Sequence, residues 1–251
     1  MFFAYLKADF IKARGLKICL AHLLIPVLAA IVFLLYYSVA PGNIYSKADA
    51  YFQMLGTAMP FLIGLFCGII SEQELMAGSF QNMLSVPVRA VPFYSKLFML
   101  LLLGAPAVLL ASVLFGVGYL YVEENYIIDF RLYFIAAFVI AGSSIFLYIL
   151  HLFLAMRFNK GVTTGLGIAE SLLAAIMLTG LGDGIWMYIP AAWAVRFVTL
   201  VLPKPAVYGT MAVDYNQELY TAIITCIIIT GAGAVAFGIW AWKWDGTKSS
   251  E

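Results

Sequence analysis

The sequence has little charge for its length. Only 11% of its 251 residues are Asp, Glu, Lys or Arg, whereas 64% are hydrophobic. Soluble globular domains carry about a quarter charged residues. The net charge of +1 supplies no basic field of the kind that nucleic acid requires, so a nucleic-acid partner is excluded. The composition predicts an integral membrane protein that is embedded in a lipid bilayer.

Groups that carry chemistry are also scarce. The three cysteines lie in apolar runs and lack metal-ligand spacing. The string nearest to a phosphate loop, Gly246-Thr-Lys-Ser, lacks both the leading glycine and a preceding strand. The only histidines, His22 and His151, have no sequence neighbours that would form a catalytic triad. We therefore expect no catalytic residue, no metal site and no cofactor in this chain, and no hydrolysis of ATP by it.

Six apolar runs approach the roughly 20 residues that a helix needs to cross a hydrocarbon core of about 30 Å. They predict an all-α integral membrane protein with one transmembrane domain over residues 1–251. The expected spans are Ile18–Val39, Tyr51–Ser71, Leu97–Val122, Leu132–Met156, Gly161–Leu181 and Leu219–Trp242.

Lys and Arg residues of the connecting segments are distributed unevenly between the two sides of this arrangement. Ten cations fall on one side and four on the other, and cytoplasmic loops are the ones enriched in Lys and Arg. With six spans, both termini then lie in the cytoplasm. The ten are Lys7, Lys12, Arg14, Lys17, Arg89, Lys96, Arg157, Lys160, Lys243 and Lys248; the four are Lys47, Arg131, Arg196 and Lys204.

Two segments outside the spans have apolar character. Residues 1–17 interleave cations with apolar residues at helical spacing, which indicates a helix in the membrane interface; a plain charged flank to the first span is the alternative. On the outer side, residues 182–218 contain an aromatic stretch that includes Trp186, Trp193 and Arg196. This stretch is marginal in length for a seventh span, so we expect re-entrant or interfacial helices there.

Glu170 lies nine residues into the fifth expected span, about 14 Å deep at 1.5 Å per residue. A carboxylate at that depth costs several kcal/mol unless it is paired or hydrated. One interpretation is that Glu170 faces a polar conduit or a subunit interface beside Thr163, Thr164 and Ser171. The other is a protonated or locally hydrogen-bonded carboxyl group at a shallower depth.

Residues 72–87 form the longest polar interruption on the cation-rich side. Ser71, Glu72 and Glu74 suit the N-terminus of a helix, and Pro87 ends the segment. The pattern predicts a short amphipathic helix across the cytoplasmic face; an ordinary solvated turn is the alternative. Its apolar stripe comprises Leu75, Met76, Phe80, Met83 and Leu84, and its polar side chains are Gln73, Ser79, Gln81 and Asn82.

The order of these elements resembles the ABC-2 class of exporter permeases. Several strings are more narrowly similar to the lantibiotic-immunity permeases, and they are densest in the first hundred residues. The strings are Phe2-Phe-Ala-Tyr-Leu-Lys-Ala-Asp-Phe, His22-Leu-Leu-Ile-Pro, Phe33-Leu-Leu-Tyr-Tyr, and Glu72-Gln-Glu followed by Gly78-Ser-Phe-Gln-Asn-Met-Leu.

The resemblance implies a permease that pairs with a second, related permease and with two copies of a separate ATPase, which holds the ATP and Mg²⁺. A homodimer is the alternative to that permease pair. Such a complex removes lantibiotic peptides from the plasma membrane of a Gram-positive bacterium, and its permease seats a coupling helix in the ATPase. The residues implied in that coupling are Glu72, Glu74, Met76, Phe80, Gln81, Met83 and Leu84.

Other functions stay open at this point. The cargo of an ABC-2 permease could instead be a drug, a lipid or an ion. An intramembrane enzyme or sensor that uses Glu170 and His151 is a remoter alternative, because the sequence offers no second deep acid or metal-ligand pair. Trp186, Trp193 and Arg196 are candidate contacts for a cationic, amphipathic peptide on an acidic and aromatic outer face.

Overall fold

The computed structural model describes residues 1–122, 128–201 and 215–246, and in these ranges the regular structure is entirely helical. Two short 3-10 turns, Gly180–Gly182 and Trp186–Tyr188, precede the ninth α-helix. The α-helices are α1 Phe2–Gly15, α2 Ile18–Tyr37, α3 Ile44–Met76, α4 Gln81–Leu84, α5 Ala90–Val122, α6 Arg131–Ser143, α7 Ile145–Arg157, α8 Lys160–Met177, α9 Pro190–Val201 and α10 Tyr215–Lys243.

Five helical segments of the described chain are long and apolar enough to cross a membrane: α2, α3, α5, the continuous pair α6–α7, and the part of α10 from Gln217 to Lys243. The expected fifth span corresponds to α8, which is not among the five. At 18 residues α8 extends only about 27 Å, and Lys160 and Glu170 lower its hydropathy. An all-helical multi-pass membrane protein is therefore confirmed, with five rather than six long spans.

Two expected spans are longer in the structure than the sequence predicts. α3 extends beyond Tyr51–Ser71 at both ends, and at its start the Asn43 side chain accepts a hydrogen bond from the Tyr45 amide. α5 begins at Ala90 rather than Leu97, because Lys96 lies inside the protein and pairs there with a carboxylate. A prediction from hydropathy alone ends the span at the first charged residue. In the structure, a charge that is paired does not interrupt the helix.

α3 is the central helix, and it packs against α7, α8 and α9. Its contact with α8 is close: a Cβ atom on Gly64 would lie 2.7 Å from the Thr163 carbonyl oxygen, and one on Gly167 would lie 2.7 Å from the Pro60 carbonyl oxygen. Small residues let helix backbones approach in this way inside a membrane protein. The α3–α8 pair therefore forms a tightly packed unit that positions the polar residues described below.

Aromatic clusters fill the core at both ends of the bundle. In one half, Tyr51 stacks on Phe115 with ring centroids 3.7 Å apart. At the opposite end, Trp244 contacts Phe80 and Phe93 at 5.1 and 5.3 Å between ring centroids. The second cluster joins the end of α10 to the polar segment between α3 and α5.

Candidate functional site

The polar segment after the second span begins differently from the prediction. Glu72 and Glu74 do not start a new helix; they lie in the last turns of α3, which continues without a break to Met76. The prediction of a helix N-terminus at Ser71 was wrong because nothing in Ser-Glu-Gln-Glu-Leu-Met breaks a helix. Carboxylates are unfavourable near a helix C-terminus, and here cations from other helices offset that cost.

A tight turn follows α3 and leads into α4, which is only four residues long. Gly78, Ser79 and Phe80 all have left-handed backbone conformations, which are sterically costly for the last two. The turn directs Phe80 and Met83 inward, each with 2% of its surface exposed. The single amphipathic helix predicted over residues 72–87 is therefore not present. Its apolar and polar residues are divided among the end of α3, this tight turn and the one helical turn of α4.

The predicted coupling residues divide into two groups by exposure. Glu74, Phe80 and Met83 are buried, and Leu84 is half-buried. Met76, with 81% of its surface exposed, is the most prominent apolar side chain of the segment. The exposed members of the predicted set are Glu72, Met76 and Gln81.

A buried ionic network holds the end of α3 in place. Lys96 on α5 lies 2.6 Å from Asp9 on α1 and 3.0 Å from Glu74. Lys12 on α1 approaches the same Glu74 oxygen at 2.7 Å, and Ser95 donates a hydrogen bond to Asp9. Two acids and two bases neutralise one another, and Asp9, Glu74 and Lys96 are buried, so α1, α3 and α5 are joined by a mostly buried set of charges.

The pairing of these residues was not predicted from the sequence, although one signal for it was present. Asp9 is the only acid before Asp49, in a segment otherwise rich in cations. α1 turns Asp9 and Ala13 toward the protein, while Phe3 and Ile11 on its other side are exposed. An isolated acid on a basic helix could therefore have predicted which face of α1 is buried.

Further ion pairs join other helix ends to this region. Arg89 pairs with Asp245, just after α10, and Lys160 at the start of α8 lies 2.9 Å from Glu72. Four of the ten cations assigned to one side therefore pair with acids at one end of the bundle: Lys12, Arg89, Lys96 and Lys160. We call these cations and their acidic partners the basic end. Lys248, another of the ten, lies outside the described residues.

A groove of about 500 Å³ opens at the basic end beside the turn. Its walls are the end of α3, Phe80, the end of α7 and the start of α8. The ion pair Glu72–Lys160 lies on its lining, and both side chains are exposed. Met76 follows the lining residue Leu75 in sequence and is itself exposed at this end of the molecule.

At the opposite end, the three candidate peptide contacts belong to a packed substructure. Trp186 and Trp193 have 3% and 0% of their surfaces exposed, and the Trp193 indole donates a hydrogen bond to the Met187 carbonyl oxygen at 2.9 Å. Arg196 on α9 donates to the carbonyl oxygens of Met177 and Thr179 at the end of α8. Arg196 therefore caps α8 and pairs with Asp183 at 2.8 Å.

The described part of residues 182–218 contains the 3-10 turn Trp186–Tyr188, α9 and the start of α10, so much of it is helical. Residues 202–214, which include Lys204, lie outside the described residues. How deeply α9 enters a membrane stays a prediction.

The partner of Glu170 is His151, the residue that the enzyme-or-sensor alternative also named. The Glu170 carboxylate lies 2.7 Å from Nε2 of His151, which is fully buried on α7, and Nδ1 of His151 lies 2.9 Å from the Thr163 hydroxyl. Of the three polar neighbours expected beside Glu170, Thr163 belongs to this arrangement and Ser171 instead bonds the Phe61 amide at 3.2 Å. The Glu170 side chain is 13% exposed, at the edge of the α7–α8 contact.

The fold and the basic end define a multi-pass helical membrane protein with a compact polar segment between its second and third spans. A family model described as ABC-2 family transporter protein matches residues 5–176, which is more than half of the chain. The chain belongs to the ABC-2 transporter family. It is accordingly a permease subunit, a membrane transport component without its own ATPase, and the family implies association with an ABC ATPase.

The residues that match the family model cover a definite part of the structure. This part includes α1 from Tyr5 onward, the ionic network, the turn after α3 and all but the last residue of α8, and it ends before the α9 substructure. A search of curated proteins gave no match. Family membership therefore rests on the part of the chain that contains the ionic network and the turn after α3.

Proposed function

We propose that the chain is the permease subunit of an ATP-driven exporter that removes lantibiotic or related bacteriocin peptides from the plasma membrane and confers immunity or resistance. Transport as such follows from the family match over residues 5–176. The peptide cargo is supported by the resemblance of the N-terminal strings and of Glu72–Leu84 to lantibiotic-immunity permeases.

The turn and α4, together with the end of α3, form the surface that contacts the ATPase in this proposal. Met76 and Gln81 are exposed side chains of this surface, and Glu72 contributes a charge on the lining of the groove. Glu74, Phe80 and Met83 are too buried to contact a partner directly. Their role is to transmit displacement of the turn into the transmembrane helices.

Two routes lead from this turn into the bundle. Glu74 is bound to Lys12 and Lys96, so a push on the end of α3 also acts on α1 and α5. Phe80 packs on Trp244, which connects the turn to α10. ATP-driven closure of the partner would therefore move four helices together, as in the rigid-body class of switching transitions.

The outer substructure bears on how a peptide would be captured. Trp186, Trp193 and Arg196 are engaged with other parts of the protein, so direct contact between them and a peptide requires α9 to move away from α8. Tyr188, with 60% of its surface exposed, is an aromatic side chain that a peptide could reach without that movement. In our proposal, α9 opens when the basic end is displaced.

The proposed assembly contains a second, related permease, or a second copy of this chain, and two copies of the ATPase with its ATP and Mg²⁺. Both termini face the cytoplasm of a Gram-positive cell, on the same side as the basic end. The cation count and the resemblance support this assignment.

Resistance of a sensitive host tests the cargo. Co-expression of the chain with its ATPase and sister permease should raise the concentration of lantibiotic needed to stop growth, and a hydrolysis-defective ATPase should abolish the increase. Unchanged lantibiotic sensitivity, with resistance gained to a drug or an ion, would contradict the peptide cargo and leave ABC-2 transport intact.

A further inference from the structure

The contact between His151, Thr163 and Glu170 constrains where protons can lie. The Thr163 hydroxyl donates its single proton to the backbone carbonyl oxygen of His151, at 3.2 Å. Since that proton is used, Nδ1 of His151, 2.9 Å away, must be the donor to the Thr163 oxygen. Nδ1 therefore carries a hydrogen in this arrangement.

The other ring nitrogen then faces the carboxylate with one proton between them. If His151 is neutral with its hydrogen on Nδ1, then Nε2 is an acceptor, and the 2.7 Å contact requires a protonated Glu170. If both nitrogens carry hydrogens, Glu170 is ionised. In either case the pair holds one shared proton and is neutral overall, which suits a site with a fully buried imidazole.

A second arrangement of the same atoms holds one proton fewer. If the Thr163 hydroxyl turns from the carbonyl oxygen to Nδ1, the imidazole hydrogen can reside on Nε2 and donate to an ionised Glu170. That state keeps both side-chain contacts and gives up only the 3.2 Å bond to the backbone. The two states differ by one proton and by one hydroxyl rotation.

We infer that His151, Thr163 and Glu170 form a proton-binding site that takes up and releases one proton, with the Thr163 hydroxyl turning between the two states. The proton enters and leaves the site through the Glu170 carboxyl group. The Glu170 side chain is partly exposed and, within the described ranges, its second carboxylate oxygen has no hydrogen-bond partner. Proton release leaves one negative charge at the α7–α8 contact. The inference does not depend on the cargo.

The surrounding helices supply few other charges. Lys160 pairs with Glu72, and the Arg157 side chain lies over the exposed Phe158 ring, so neither cation is directed at Glu170. Cys67 on α3 contacts the Tyr148 carbonyl oxygen one turn before His151. The other titratable or charged groups of α3, α7 and α8 toward the basic end are Cys67, Glu72, Glu74, Tyr148, Arg157 and Lys160. On α9, Arg196 lies at the other end of α8 and pairs with Asp183.

Histidine-selective ¹⁵N NMR of the purified full-length chain in detergent micelles tests the site, because the chain has only two histidines and His22→Asn assigns them. As the pH is raised from about 4 to 9, His151 Nδ1 should change from proton-bearing to proton-free while Nε2 bears the hydrogen. A Nδ1 that stays in one state throughout would overturn the inference.

Glu170→Gln separates proton exchange from a purely structural contact. The Gln amide can donate to Nε2 as a protonated Glu170 would, so the fold and the contact are kept. We expect Nδ1 of this variant to stay proton-bearing across the whole range. A transition like that of the unsubstituted protein would show that Glu170 is not the exchanging group.

Two adjacent threonines provide a matched pair for the hydroxyl. Thr163→Val removes two hydrogen bonds from the protonated state and one from the other, so the midpoint of the Nδ1 transition should fall by about one pH unit. Thr164→Val should leave the midpoint unchanged, because the Thr164 hydroxyl has no hydrogen-bond partner. Equal midpoints for the two variants would contradict the role of Thr163.

Discussion

At the scale of single residues, Lys96 is the side chain on which the basic end depends most. It neutralises both Asp9 and Glu74, and all three are nearly inaccessible to water. Removing one partner from a buried ion pair leaves an uncompensated charge, which costs about 3–5 kcal/mol. Lys12 also pairs with Glu74, but its side chain is one-third exposed and Lys96 would remain in its absence.

We therefore predict that Lys96→Met destabilises the protein by about 3–5 kcal/mol and Lys12→Met by about 1 kcal/mol or less. Thermal unfolding of the purified chain in detergent measures both. Lys7→Met, at an exposed position on α1, is the control and should leave the midpoint unchanged. Equal losses for Lys96 and Lys12 would mean that the network is hydrated rather than buried.

At the scale of helices, the α3–α8 contact determines where the polar residues lie. Gly167 faces the Pro60 backbone, and Gly64 faces Thr163 and the His151 ring. The contact is close because neither glycine has a side chain, and it brings Thr163 and Glu170 within reach of His151. A change in the spacing of the two helices should therefore alter the proton-binding site without touching its residues.

Two glycines of α8 give a direct comparison. Gly167→Ala should destabilise the chain by about 1–3 kcal/mol, because its Cβ would meet backbone atoms that cannot move aside. Gly165→Ala should be neutral or stabilising by up to about 1 kcal/mol, because no atom lies within 4 Å and alanine favours helix. Thermal unfolding distinguishes them, and a loss confined to Gly165→Ala would contradict the packing described.

The positions of the helices were largely predictable from the sequence, whereas the side-chain contacts between different helices were not. Apolar runs predicted the positions of α2, α5, α6–α7 and α10, because lipid selects for length and hydropathy. The continuation of α3 to Met76 was missed because Glu74 reads as a helix start until its cations on α1 and α5 are known. His151 and Glu170 lie on different helices, and no local pattern predicts that they meet.

At the scale of the whole molecule, the arrangement of helix ends bears on membrane topology. Ion pairs bring the ends of α3 and α10 and the starts of α5 and α8 together, while Arg196 holds the end of α8 against α9 elsewhere. α8 therefore runs away from the basic end, although it is shorter and more polar than the five long spans. We expect it to cross the membrane inside the protein, where α3 and α7 cover it.

Cysteine labelling tests that topology in a background without the three native cysteines. Asn82→Cys and Arg157→Cys should react from the cytoplasmic side only, and Val39→Cys and Leu181→Cys from the outer side only, since all four positions are exposed. A membrane-impermeant maleimide added to right-side-out or inverted vesicles makes the measurement. Reaction of Leu181→Cys from the cytoplasmic side would show that α8 does not cross.

The proposal that the turn after α3 couples the permease to an ATPase is tested most directly by capturing the ATPase on the tagged, full-length chain. Met76→Asp should reduce the captured ATPase at least tenfold, because it places a charge in the proposed contact. Val39 is equally exposed but lies just after α2, away from the basic end. The Val39→Asp variant should therefore capture as much ATPase as the unsubstituted chain. Undiminished capture by Met76→Asp, with the complex otherwise intact, would contradict the account.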